Sequence, residues 1–201
     1  MSKIQVDTID TRSGTATMQI GSTNTSTINI GVSGDTVNIP SGVTIANAGI
    51  ATGFNIPAFK VLLDSAQTIA TSTDTVIAYD TELYDTDSAV SSGVFTVPTG
   101  KGGKYFFAMN GGFNTSSDID TVSITISKNE QKTISSNAGD AVNIEYHHNG
   151  TAVSQYIQSL STTMDLAAGD TVRVYYWQNY GSNRDTATDG RAVFSGFRIG
   201  T

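Results

Sequence analysis

The sequence predicts an all-β protein in two parts, a β-repeat stalk over residues 1–53 and a β-sandwich or jelly-roll head over residues 54–201. Three observations carry this. Apolar residues alternate with polar ones at period two in both parts, and in the first part the helical period is absent. Charged residues are only 14% of the 201, so the polar remainder is Thr, Ser, Asn and Gln, a composition that favours strands and turns over helices. Gly, Asn and Asp clusters break the chain into short apolar runs throughout.

From Met1 to Gly53 no residue is aromatic and the charges are few: Lys3, Asp7, Asp10, Arg12 and Asp35. The apolar residues come in alternating groups, Ile4 with Val6, Met18 with Ile20, then Ile28, Ile30 and Val32, Val37 with Ile39, and Val43 with Ile45. Gly21, Gly31, Ser33-Gly34-Asp35 and Pro40-Ser41-Gly42 supply turns between them. Gln19-Ile20-Gly21 recurs as Asn29-Ile30-Gly31, and Asn38-Ile39-Pro40 echoes it, an internal repeat. Strands this short and this thinly apolar bury too little to offset their own chain entropy, so they need partners. Three copies wound about one axis place Ile20, Ile30, Ile39 and Ile45 inside and Thr, Ser and Asn outside. A disordered Ser/Thr-rich leader is the competing reading.

The head pattern begins at Phe54. Strands are expected near Phe59 to Leu63, Thr75 to Tyr79, Gly93 to Val97, Lys104 to Gly111, Thr121 to Lys128, Val142 to Tyr146, Val153 to Leu160, Thr162 to Leu166, Thr171 to Gln178, and Arg191 to Ile199. Val122, Ile124 and Ile126 alternate cleanly with Thr121, Ser123, Thr125 and Ser127, one face for a core and one for solvent. In Tyr105-Phe106-Phe107 and in Val174-Tyr175-Tyr176-Trp177 both faces are apolar. A sandwich covers one side of a strand, so a subunit interface is the expected cover for the other.

The order of phrases then becomes informative. Gly93-Val-Phe-Thr-Val-Pro98 is followed by Gly103-Lys-Tyr-Phe-Phe107, Ile126-Ser-Lys-Asn129, Leu166-Ala-Ala-Gly-Asp-Thr-Val-Arg-Val174 and Phe194-Ser-Gly-Phe-Arg-Ile-Gly200. This resembles the globular head of the complement and tumour-necrosis-factor-like superfamily over Pro57 to Gly200. The resemblance implies a ten-stranded jelly roll that assembles as a homotrimer, with Tyr105, Phe107, Tyr175, Trp177 and Phe197 in the core or at the trimer interface. Residues 1–53 lack the Gly-X-Y period of collagen-stalked members. A β-repeat stalk before such a head is similar to a bacteriophage fibre or virion decoration protein. That likeness implies a non-enzymatic structural protein at the virion surface, attached to capsid or tail proteins through an N-terminal segment containing Ile4, Val6 and Ile9. A receptor-binding tail fibre that holds a host glycan or outer-membrane protein is the alternative.

Several function classes fall away on composition. A net charge of -7 leaves no cationic footprint for nucleic acid. Zero cysteines remove thiolate metal sites, disulfides and a cysteine nucleophile together. No apolar stretch has signal-peptide or membrane-spanning length, so synthesis in the host cytoplasm and no membrane insertion are expected. No Gly-x-Ser-x-Gly elbow, phosphate loop or His-Glu-x-x-His helix is present, so no enzymatic activity is expected. Paired carboxylates for glycoside cleavage stay open, because their separation is set in three dimensions.

No cofactor is expected. His147 and His148 are adjacent, point to opposite faces of a strand and do not share an ion. Acidic clusters at Asp80 to Asp87, at Asp118 and Asp120, and at Asp185 and Asp189 lack the calcium-loop spacing. Solvated loop carboxylates are the default there, with Asp118 and Asp120 the pair a calcium ion would take. The polar loops Ser136 to Gly150 and Tyr180 to Gly190 are the expected ligand-binding loops, with His147, Asn149, Asn183, Arg184, Asp185 and Asp189 their candidate residues.

Overall fold

The computed structural model describes residue 20 and residues 23–46, 56–114, 121–131, 141–147, 155–188 and 190–200. The chain falls into two units, Met1–Ala51 and Thr52–Thr201.

In the first unit the described residues carry turns and extended chain with no strand pairing. Asp35 N–H donates to the Val32 carbonyl, and the Asp35 carboxylate accepts back from Val32 N–H. Val43 N–H closes a second turn onto the Pro40 carbonyl. Both fall where Gly34 and Gly42 take positive φ, at 97° and 84°, which a residue without Cβ adopts freely. The expected stalk core does not form within one chain: Ile20, Ile30, Ile39 and Ile45 are all exposed. Extended chain this thinly apolar does not provide its own cover. Ile4, Val6 and Ile9 lie outside the described residues.

The second unit is a two-sheet sandwich of thirteen strands among the described residues. These are β1 (Ala58–Leu62), β2 (Thr68–Ile69), β3 (Thr75–Val76), β4 (Thr81–Asp85), β5 (Val90–Ser91), β6 (Val94–Thr96), β7 (Gly103–Asn114), β8 (Thr121–Lys128), β9 (Ala141–His147), β10 (Gln155–Leu166), β11 (Thr171–Gln178), β12 (Arg184–Thr186) and β13 (Val193–Gly200). The seven-stranded first sheet is organised on β7. Strand β10 pairs with it over its whole length on one edge, and β13 pairs on the other. Strand β12 continues the β13 edge, with β2 beyond it, while β1 and then β4 extend the sheet past β13. The six-stranded second sheet runs β5-β6-β11-β8-β9, with β3 also on β11.

Where the sequence suggested two strands, Val153 to Leu160 and Thr162 to Leu166, there is one twelve-residue strand, β10. Ser161 is paired with Ala108 in unbroken register with β7, and no glycine, proline or asparagine interrupts it. Strand β4 falls in the acidic stretch read as loop. Its place at the edge of the sheet, paired only with β1, lets Glu82 stay in water, while the half-buried Asp85 carboxylate accepts from the N–H groups of Asp87 and Val90.

The core lies between the sheets and is dominated by rings. Phe59, Phe95, Tyr105, Phe107 and Phe194 are at most 1% exposed, with Phe59 stacked on Phe95 at 4.9 Å and set edge-on to Phe194 at 5.0 Å. Val122, Ile124 and Ile126 of β8 meet them from the second sheet, the face that period-two alternation assigned.

One glycine is fixed by a close approach. A Cβ on Gly112 would overlap the Tyr156 carbonyl oxygen and lie 2.8 Å from its carbon. Backbone on a fully paired neighbouring strand cannot yield as a flexible side-chain tip does. Gly112→Ala is expected to cost about 1–3 kcal/mol of head stability or more, read as a lower midpoint in urea; an unchanged midpoint would show that β7 and β10 separate here at little cost.

Candidate functional site

The two outer faces of the sandwich differ in chemistry, and the difference follows from register. On the first sheet, cross-strand pairing places Thr163, Phe106, Phe197 and Ala58 in one row across β10, β7, β13 and β1. The next row holds Ser161, Ala108, Ser195, Lys60 and Tyr84. Phe106 and Phe197 pack ring against ring at 5.4 Å, yet Phe197 is 47% exposed. Ile56, Leu83, Tyr84 and Ile199 are each at least 49% exposed. The small side chains of Ala108, Ser161 and Ser195 lower the middle row, leaving a trough of about 370 Å³ lined also by Lys60 and Asn110. A face with exposed rings beside a small-residue trough has the composition of a protein interface.

The outer face of the second sheet is polar. Thr121, Ser123, Thr125 and Ser127 of β8 lie between Arg173, Tyr175 and Trp177 of β11 and Ala141, Asn143, Glu145 and His147 of β9.

The five aromatic candidates therefore separate. Tyr105 and Phe107 are in the core, and Phe197 is on the exposed apolar face of the first sheet. Tyr175 and Trp177 both lie outside the core, on the outer face of the second sheet, Tyr175 buried and Trp177 half-buried. Trp177 is therefore not a core residue of the single chain. Position 177 has the same strand phase as 175 and 173, while Val174, Tyr176 and Gln178 hold the inward phase. Phe106, Ile199 and Tyr84, central to the apolar face, were not singled out from the sequence. The signal was available for Phe106, since it sits between two residues that face the other way.

The loop after β11 is held from below. The buried Gln178 side chain donates to the carbonyls of Ile69 and Ser182, and its oxygen accepts from Tyr180 N–H. Thr71 Oγ1 accepts from Gly181 N–H at 3.1 Å. The Arg184 guanidinium lies 3.5 Å above the Tyr180 ring, and Asp185 accepts a 2.7 Å bond from the Thr68 hydroxyl. Arg184 and Asp185 are thus strand residues of β12, which pairs with both β2 and β7; Arg184 is half-buried and Asp185 exposed. Gly181, Ser182 and Asn183 remain as an exposed tip on a rigid base. His147 is exposed, with Nδ1 at 3.0 Å from Thr121 Oγ1 and Nε2 at 3.3 Å from Glu145. Asn149, Asp189, Asp118 and Asp120 lie outside the described residues.

The perturbed titrations are structural in origin. Burial pushes the Tyr79, Tyr156 and Tyr176 phenols up, and the hydroxyls of Tyr79 and Tyr176 are buried without a partner among the described residues. Asp80 is held below the ordinary carboxylate range by backbone N–H donation from Asp64, 2.7 Å, helped by Ser65. Asp170 is lowered chiefly by the Asn129 amide, with Ala167 N–H and Lys128 assisting. A carboxylate whose folded pKa lies below its unfolded value stabilises the fold fully above the unfolded value. That contribution is lost as pH falls through the folded one. The thermal midpoint is therefore expected to drop below about pH 4, and Asp80→Asn is expected to flatten that drop; a variant with the same acid slope as the parent would show that this turn does not contribute to it. Among the described residues no group of three His, Asp or Glu gathers at metal-binding distance, and no helix is long and apolar enough to cross a membrane.

No family model and no curated protein matches the chain. Solved structures do. The crystal structure of murine APRIL aligns with a TM-score of 0.51 at 12% identity, covering 71% of this chain and 97% of that one. The globular domain of zebrafish complement 1qA protein aligns over 72% and 98% at 19% identity with a TM-score of 0.48. Eiger TNF from S. frugiperda aligns over 73% and 94% at 12% identity with a TM-score of 0.49. The pairing of β10, β7, β13 and β1 in one sheet against β6, β11, β8 and β9 in the other is, on this likeness, the two-sheet jelly-roll fold of murine APRIL.

Proposed function

We propose that this chain is a non-enzymatic, homotrimeric structural protein of a bacteriophage virion, attached to capsid proteins through residues 1–53 and bearing an adhesive jelly-roll head. The observation that carries the reading is paired apolar exposure. The head leaves Phe106, Phe197 and Ile199 on one sheet face, and the first unit leaves Ile20, Ile30, Ile39 and Ile45 in water. Each has the pattern of a surface completed by copies of the same chain, where identical patches meet about a closed axis. The alternating isoleucines separated by Gly turns, joined in one chain to a jelly roll of this class, support a virion fibre or decoration protein. The receptor-binding alternative draws on the rigid base under Gly181 to Asn183, where avidity from three heads would multiply a modest contact.

The test mixes the full chain and its Ile30→Asn/Ile39→Asn variant with virions lacking the protein and, separately, with host cells, and weighs what cosediments. Binding to particles by the parent but not the variant, with the head's circular dichroism unchanged, supports attachment through the first unit. Saturable binding to cells with none to particles overturns it in favour of receptor recognition.

A further inference from the structure

Trp177 is the only tryptophan in the chain, and it stands on the outer face of the second sheet. Among the described residues no ring or cation packs on its indole. Its register partner on β8 is Ser123, and the partner of Ser123 on β9 is Glu145. The Asn143 amide donates to Ser123 Oγ at 2.7 Å, and Asn143 Oδ1 is itself buried, with no partner among the described residues. The Glu145 carboxylate and the His147 ring are exposed at the open side, while Tyr175 and Thr125 beside them are buried and close the other side.

We infer that this strip binds a neutral saccharide, with one sugar ring on the Trp177 indole. A pyranose presents a face of C–H groups and a rim of hydroxyls. The half-buried Trp177 indole takes the face, since an indole combines apolar area with a ring quadrupole. Ser123 lies one strand from Trp177, and Asn143 and Glu145 lie two away, at a spacing of about 4.8 Å per strand. Ser123 and Glu145 supply a hydroxyl and a carboxylate to the rim, Asn143 holds the Ser123 hydroxyl in place, and β-strands hold them with little entropy left to lose on binding. The net charge of -7 and the Glu145 carboxylate select against sulfated or phosphorylated chains. On this face Thr121, Thr125, Ser127 and Tyr175 are buried, and the Glu145 and His147 end is the part open to solvent. The proposal rests on the head's being a surface-adhesion module, and it assigns that adhesion to a sheet face instead of the loop tip.

Because Trp177 is the sole indole, the full chain's tryptophan fluorescence reports this site alone. Titration with maltohexaose, tetra-N-acetylchitotetraose and a galactose-terminated oligosaccharide is expected to give a saturable blue shift with at least one, and none with heparin. Asn143→Ala and Glu145→Gln are expected to weaken that binding about tenfold or more, with the particle mass and the free protein's emission unchanged. No shift with any neutral oligosaccharide overturns the proposal, as does binding that both variants retain in full. A fall in particle mass on Trp177→Phe would also overturn it, showing that the indole packs on another copy. Host-cell binding that persists in both variants shows that adhesion is real but the site lies elsewhere. Saccharide binding by the parent without any cell binding supports the site and removes the adhesion reading instead.

Discussion

In the trimer proposed above, three times 21.1 kDa, Phe197→Glu is expected to lower the particle mass measured by light scattering on the eluted protein, with the head still folded. The phenyl ring is 47% exposed and packs only on Phe106 among the described rings, so the isolated sandwich loses little when it is replaced. In a trimer closed through this face, each ring is taken out of water. A carboxylate there is buried without a partner, a penalty of several kcal/mol per site repeated at every copy. The same substitution at Thr163, in the same row on β10, is expected to weaken assembly less, since it removes no aromatic surface. A Phe197→Glu protein that keeps the parent mass would place the assembly surface elsewhere.

Phe107→Ala is expected to have the largest effect on folding, about 3–5 kcal/mol against a total stability of about 5–15 kcal/mol for a domain of ordinary size. Its ring is fully buried and lies 5.7 Å from Phe95, 6.0 Å from Tyr105 and from Phe194, and 6.3 Å from Phe59. Rings arranged that closely cannot all move into the vacated volume, so the cavity persists and the full cost is felt. Phe106→Ala, one residue away, gives the useful contrast. Because Phe106 faces outward, its loss acts through association and is expected to lower the urea midpoint by an amount that grows as protein concentration rises through the range in which the parent assembles. The Phe107→Ala deficit is expected at every concentration. Two variants with the same concentration dependence would contradict the assignment of these residues to opposite faces.

The strands with an unambiguous period were legible from residues alone. Thr121 to Lys128 and Thr171 to Gln178 match β8 and β11 to the residue, because β-branched and aromatic runs bounded by Asn, Asp and Gly leave no competing conformation. Strands β2, β5 and β12, of two or three residues, carry no period to detect. They exist because longer strands offer them an edge. Strand β4 was masked by its acids, which an edge position tolerates.

The site divides along the same line. Sequence alone determined that the protein is built of strands and that aromatic runs such as Tyr105 to Phe107 have two apolar faces, since alternation is a local property of a pleated chain. Only the tertiary structure decided which ring faces which way. Tyr105 and Phe107 turn into the core, Phe106 joins Phe197 across a strand pair, and Trp177 turns to a polar face with Ser123 and Glu145. Those partnerships join residues distant in sequence, and they are set by the register in which two sheets bury their best faces against each other, a choice no single strand contains.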